Sequence, residues 1–142
     1  LFFLEKTTKD VKLAKPLGLI DCSDDICPDD VEGLLSQTSL LSIEANILGF
    51  SALFHGAEGM GMDDLLVDVG HGDLADQIST DLEEALDALA LIEGSLDEAV
   101  VERYEQVESF YSELQDVTSA LKGDLATILA LQIPSEAAGD ND

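Results

Sequence analysis

This sequence predicts an all-α fold, an up-down antiparallel helical bundle, and three observations carry that reading. Apolar residues recur at helical spacing in three long stretches, short turns separate them, and nothing alternates with the period of a strand. With 142 residues the chain has the length of one domain and enough mass for its own core. Hydrophobic residues make up 46% of it, which excludes wholesale disorder. Aromatics are 5% with no Trp, so the core should be aliphatic.

The opening stretch, "LFFLEKTTKDVKLA", reads as the end of a helix running into an extended piece. Its uncapped apolar start looks like the inside of an element, so further chain is expected upstream or on another molecule. Pro16, Gly18 and the cluster Cys22–Asp30 then make a loop without periodicity. Cys22 and Cys27 are spaced C-x4-C, not the C-x2-C of zinc ribbons or redox motifs. Two cysteines in one acidic, proline-containing loop suggest a local disulfide and an oxidising compartment; the alternative is a pair of cytosolic thiols.

The chain divides into a helix end plus Cys-containing loop over 1–35, a helical bundle over 36–134 and an acidic tail over 135–142. Ser36 or Ser39 can cap the first bundle helix, whose face is Leu40, Ile43, Ile47, Phe50 and Phe54. Gly56, Gly59 and Gly61 end it. Asp63 to Val69 supplies one or two turns before Gly70. The second long helix carries Leu74, Ile78, Leu82, Ala85, Leu89 and Ile92 inside, with Asp76, Asp81, Glu83, Glu84 and Asp87 outside, and stops at Gly94. Ser95 to Glu98 reads as a capping box. The third pattern sustains helical spacing from Leu96 to Leu131, with Gly123 as a kink and Pro134 as its end. Short turns make neighbouring helices antiparallel, and the fourth helix of a bundle is expected from the missing upstream chain.

The charge balance is extreme: 31 acidic against 6 basic residues, net −25. Such a surface repels nucleic acid, so no nucleic-acid partner is expected, and it suits cationic partners or bound metal ions. The plainer reading is a solvated acidic surface. No apolar run approaches the ~20 residues of a membrane span.

The candidate metal site is His55 with Glu58, and Glu44 on the same helical face. Glu44, Leu48, Ser51 and His55 follow spacings of 4, 3 and 4, a face distinct from the apolar stripe. His and Glu at i, i+3 can share a metal in a bundle, but transition metals need further ligands. The alternative is a helix-terminal His beside a solvated Glu. His71, between two glycines, reads as a turn residue. No zinc-peptidase helix, nucleophile elbow, P-loop or dinucleotide fingerprint occurs, and no catalytic residue is assigned.

Several landmarks fall in one order: "DVKLAKPLGL" (Asp10–Leu19), "CPDDVE" (Cys27–Glu32), "SLLSIEANILGFSALFHG" (Ser39–Gly56), "GMDDLLVDVG" (Gly61–Gly70), "LKGDLATILALQIP" (Leu121–Pro134) and a closing "GDND". Together they resemble the C-terminal half of an imelysin-like protein. The resemblance implies one half of a two-bundle, all-helical fold, in a periplasmic, lipid-anchored or cell-surface bacterial protein associated with iron acquisition. It implies a binding role, with iron or haem as ligand and the N-terminal half as partner. The other implied reading is a metallopeptidase completed by that half, with iron or zinc as the metal. The motif G-x-H-x-x-E belongs to the N-terminal half of such proteins. Its counterpart here starts at Gly49, with Ser51 in the His position and Phe54 in the Glu position, so His55 and Glu58 are out of register with it.

Overall fold

The computed structural model describes residues 2–131, and every regular element among them is helical. The tail over 135–142 and Pro134 lie outside these residues. Helix α1 (Ser39–Phe54) buries Ile43, Ile47, Phe50 and Phe54 as the periodicity predicts. Its N-cap is Thr38. Ser39 instead donates to the Glu32 carbonyl, and Ser36 to the Gly33 carbonyl at 2.9 Å. The short α2 (Met62–Asp68) buries Leu66. Helix α3 (Gly72–Ala90) buries Leu74, Ile78, Leu82, Ala85 and Leu89.

The pattern from Leu96 to Leu131 is not one kinked helix. It divides into α4 (Leu96–Glu102), α5 (Tyr104–Ala120), a π-wound stretch Leu121–Leu125, and α6 (Ala126–Ile128). The break falls at Arg103, which leaves the helical region at φ −138° and ψ 41°. There Arg103 Nη2 donates to the Glu93 carbonyl at 2.6 Å, tying α5 back across the turn that follows α3. Periodicity cannot reveal the break, because Val100 and Val107 on either side of it both face the core. The capping box at Ser95 does not form. Ser95 is the N-cap of α4, but its buried hydroxyl has no partner among the described residues. A β-carbon at Gly94 would meet Glu98 Oε2 at 3.1 Å and Arg103 Nη2 at 3.4 Å, so the Glu98 carboxylate lies toward the guanidinium.

The stretch read as a helix end is an 11-residue π-helix, Leu4–Ala14, and it fills the fourth position of the bundle. Cross-contacts give the direction of each neighbour. Thr8 and Lys12 meet Asn46 and Ser42, so the π-helix runs antiparallel to α1. The start of α1, at Leu40 and Glu44, faces the end of α3, at Leu86 and Leu89. Gln77 near the start of α3 faces Ser119 near the end of α5. Glu5 meets Lys122, and Tyr104 reaches the Leu17 carbonyl, so α5 closes antiparallel on the π-helix. All four neighbour pairs are therefore antiparallel, the arrangement of an up-down bundle. The core between them is mostly Leu, Ile, Val and Ala, with Phe54 and Phe110 fully buried.

Cys22 and Cys27 are joined in a disulfide that closes the loop between the π-helix and α1. The Cys27 N–H donates to the Pro16 carbonyl at 2.9 Å, and Asp30 pairs with Lys15 at 3.4 Å. No helix among the described residues is long and apolar enough to cross a membrane.

Candidate functional site

His55 terminates α1, with φ −85° and ψ 0° at the C-cap. Gly56 follows at φ +68°, a left-handed conformation that glycine adopts without penalty. The chain then reverses tightly, with the Gly59 N–H on the Gly56 carbonyl at 2.7 Å. It enters α2 at Gly61, whose N–H donates to Asp64 Oδ2 at 3.0 Å. This reversal lays the first turn of α2 against the last turn of α1.

Its product is a His–Asp pair. His55 Nδ1 and Asp63 Oδ2 are 3.0 Å apart, with the His55 side chain 41% exposed and that of Asp63 26% exposed. The Phe54 ring stands edge-on to the imidazole, with centroids 5.2 Å apart. Asp63 Oδ1 accepts the Asp64 N–H at 2.8 Å. Burial pushes the Asp63 carboxyl up, but the His55 hydrogen bond, the Asp64 N–H and the His55 charge together hold it below its ordinary value. In the neutral tautomer that carries its proton on Nδ1, toward the carboxylate, His55 leaves the Nε2 lone pair to accept a proton or a metal ion.

The structure thus brings His55 to Asp63, not to the two carboxylates read as its companions. Glu58 occupies the exposed turn between Gly56 and Gly61 and makes no hydrogen bond or ion pair with His55. Glu44 lies eleven residues before His55 in α1, about 16 Å away along the helix axis, too far to share one ion with it. Glu44 lines a cleft of about 180 Å³ against the end of α3. His71, an exposed residue, is the N-cap position of α3. Among the described residues no group of three or more His, Cys, Asp or Glu is placed to hold a metal ion. A tight transition-metal site needs at least three protein ligands, so a metal at His55 would draw ligands from beyond the described residues. The periodicity missed Asp63 because the pair spans a turn. The available signal was the run Gly56, Gly59, Gly61, which marks a chain reversal.

A second polar centre lies along the π-helix, within the stretch "DVKLAKPLGL" and just before it. Lys9 is fully buried, 3.2 Å from Asp10 Oδ1 and 5.7 Å from the centroid of the Tyr111 ring. Lys12 pairs with Glu32 at 3.0 Å and donates to Ser42 at 2.6 Å. Lys122, in the other π-wound stretch, pairs with Glu5 at 3.0 Å. With Lys6–Asp10, Lys15–Asp30 and Arg103–Glu102, all 6 basic side chains of the sequence are in ion pairs.

The third is a seam of carboxylates between α3 and α5. Asp81, Asp116 and Asp124 line one cleft of about 330 Å³. Burial pushes the Asp81 carboxyl up, as do the neighbouring charges of Asp116 and Glu84. A carboxyl whose folded-state pKa is raised contributes stability only below its unfolded pKa, and loses it as pH rises through the folded value. At neutral pH ionised Asp81 is therefore a penalty. Asp81→Asn is expected to raise Tm at pH 7, by less than about 1 kcal/mol of stability because solvent screens the site, and to change nothing at pH 3. Differential scanning calorimetry at the two pH values checks this; an equal gain at both would exclude the charge as its source.

The Imelysin family model matches this chain over residues 5–128. No curated protein and no solved structure matches it.

Proposed function

Because this chain belongs to the imelysin family, we propose that it is a binding component of bacterial iron uptake, working outside the cytoplasm in the periplasm or at the cell surface. The single observation that carries the binding role is the His55–Asp63 pair, an exposed imidazole oriented by a carboxylate. It supplies one nitrogen donor aimed by one oxygen acceptor. The net charge of −25 favours accumulation of hard cations, for which carboxylates are the matched ligands. The disulfide suits an oxidising compartment. A second bundle half, outside this chain, is the proposed source of the remaining ligands for iron, or of the surface that completes a haem site.

A metallopeptidase requires three protein ligands and an open position for water on zinc. His55 and Glu58 would contribute to such a site only with that second half in place.

Calorimetric titration with iron(III) citrate and with zinc, on this chain and on the chain together with its second half, tests the reading. Iron binding to the combined protein, weakened about tenfold or more by His55→Ala and by Asp63→Asn, is the expected result. Zinc binding accompanied by peptide hydrolysis would favour the peptidase instead. Iron affinity unchanged by either substitution would remove His55 from the site.

A further inference from the structure

The chain has two methionines, and both fall in the reversal that follows His55. Met60 and Met62 stand on either side of Gly61 in "HGAEGMGMD". Methionine is ordinarily a core residue. Met60 is not: it remains 77% exposed, in a reversal whose imidazole is also open to solvent. Met62, the first residue of α2, is half-buried.

Two glycines set how close these side chains start. A β-carbon at Gly61 would press on the His55 backbone, and one at Gly56 would press on that of Met60. The Gly61 backbone therefore lies directly against that of His55. Met60 and Met62 are each a single peptide from Gly61, so their Cα atoms lie within about 9 Å of the His55 Cα. An imidazole and a thioether, each projecting from its own Cα, span that separation with an ion between them. The imidazole is turned toward this segment, because its partner Asp63 directly follows Met62. Methionine side chains rotate freely enough to bring their sulfurs to an ion held there.

Ligand chemistry selects the ion. Iron and zinc find too few oxygen, nitrogen and thiolate ligands at His55 among the described residues. A soft monovalent ion has one more ligand type to use, the thioether of methionine. The net charge of −25 gathers cations of every kind, so it does not choose between them; the sulfurs do. Both cysteines are joined to each other, so no thiolate of this chain competes for the ion. We propose that His55 Nε2 and the sulfurs of Met60 and Met62 form a binding site for Cu(I) at the reversal between α1 and α2. The site is complete within this chain, whereas iron binding through the same imidazole draws on a second half.

The test is NMR of the full chain, isotope-labelled at its methionine methyl groups and histidine rings and titrated with Ag(I). Silver stands in for Cu(I) without a reductant, so the disulfide stays closed. Both methyl resonances and His55 Nε2 are expected to shift together and to saturate near a single equivalent. Competition with a chromophoric chelator then gives the Cu(I) affinity, expected to fall at least about tenfold in His55→Ala and in Met60→Leu. Met60→Leu and Met62→Leu conserve volume, so circular dichroism should not change. Met60→Leu also leaves in place every group named for iron, so its effect separates the copper site from the iron reading. Methyl resonances that stay put while His55 shifts, or a Cu(I) affinity that survives both methionine substitutions, overturns the proposal. Zinc moving the methyl resonances as silver does would overturn it too, because the site would not then select a soft ion.

Discussion

Lys9→Ala is expected to lower the stability of the fold by about 3–5 kcal/mol. Lys9 has no exposed surface, and its ammonium lies 3.2 Å from Asp10. Removing it leaves the Asp10 carboxylate, itself 6% exposed, with less compensation in a region of low dielectric. Its stem also packs beside Tyr111, over whose ring the ammonium stands. Lys9→Met keeps the stem and removes only the charge, so it should recover about 1 kcal/mol of the loss. Urea unfolding followed by circular dichroism measures both. A Lys9→Ala variant within about 1 kcal/mol of the parent would show that the buried charge is not structural.

Gly61→Ala is expected to cost about 2 kcal/mol. The φ of Gly61 is −99°, so backbone conformation is not the obstacle. The obstacle is space: a β-carbon would press on the Phe54 carbonyl oxygen, the His55 backbone and the Asp63 carboxylate at once. Two of these are backbone and cannot step aside, so the reversal between α1 and α2 must open. Opening it separates His55 from Asp63. The His55 ring resonances of Gly61→Ala should therefore move to those of Asp63→Asn in nitrogen-detected NMR. Unchanged His55 resonances in Gly61→Ala would show that the pair does not depend on this close approach.

Much of the helical layout was legible because each long helix buries a stripe at helical spacing. Ile43, Ile47, Phe50 and Phe54 in α1, and Leu74 to Leu89 in α3, are core residues in both sequence and structure. The Cys22–Cys27 pairing was legible from a short acidic loop with two cysteines. Three features were not. The break at Arg103 preserves the apolar stripe, so periodicity passes over it. The His55–Asp63 pair joins two helices across a turn. Ser95 has the residues of a capping box, but Glu98 Oε2 lies beside Gly94, on the side where the Arg103 guanidinium donates to the Glu93 carbonyl.

The π-helix draws the same division most sharply. The stretch containing "LEKTTKDVKLA" reads in the sequence as the end of a helix running into an extended piece, and a charge is ordinarily too costly to bury. The chain buries Glu5, Lys9, Asp10 and Lys12 all the same, since Lys122, Tyr111, Glu32 and Ser42 arrive from elements distant in sequence to meet several of them. By itself the sequence determined that the chain is helical, where most helices lie, which faces are apolar, and that its surface is acidic. These follow from local periodicity and composition, which each segment carries alone. Only the tertiary structure decided which charges go inside, where Arg103 interrupts a continuous stripe, and that His55 is oriented by Asp63. Each of those depends on a partner brought close by folding, and the energy of a buried charge or an aimed imidazole is set by that partner.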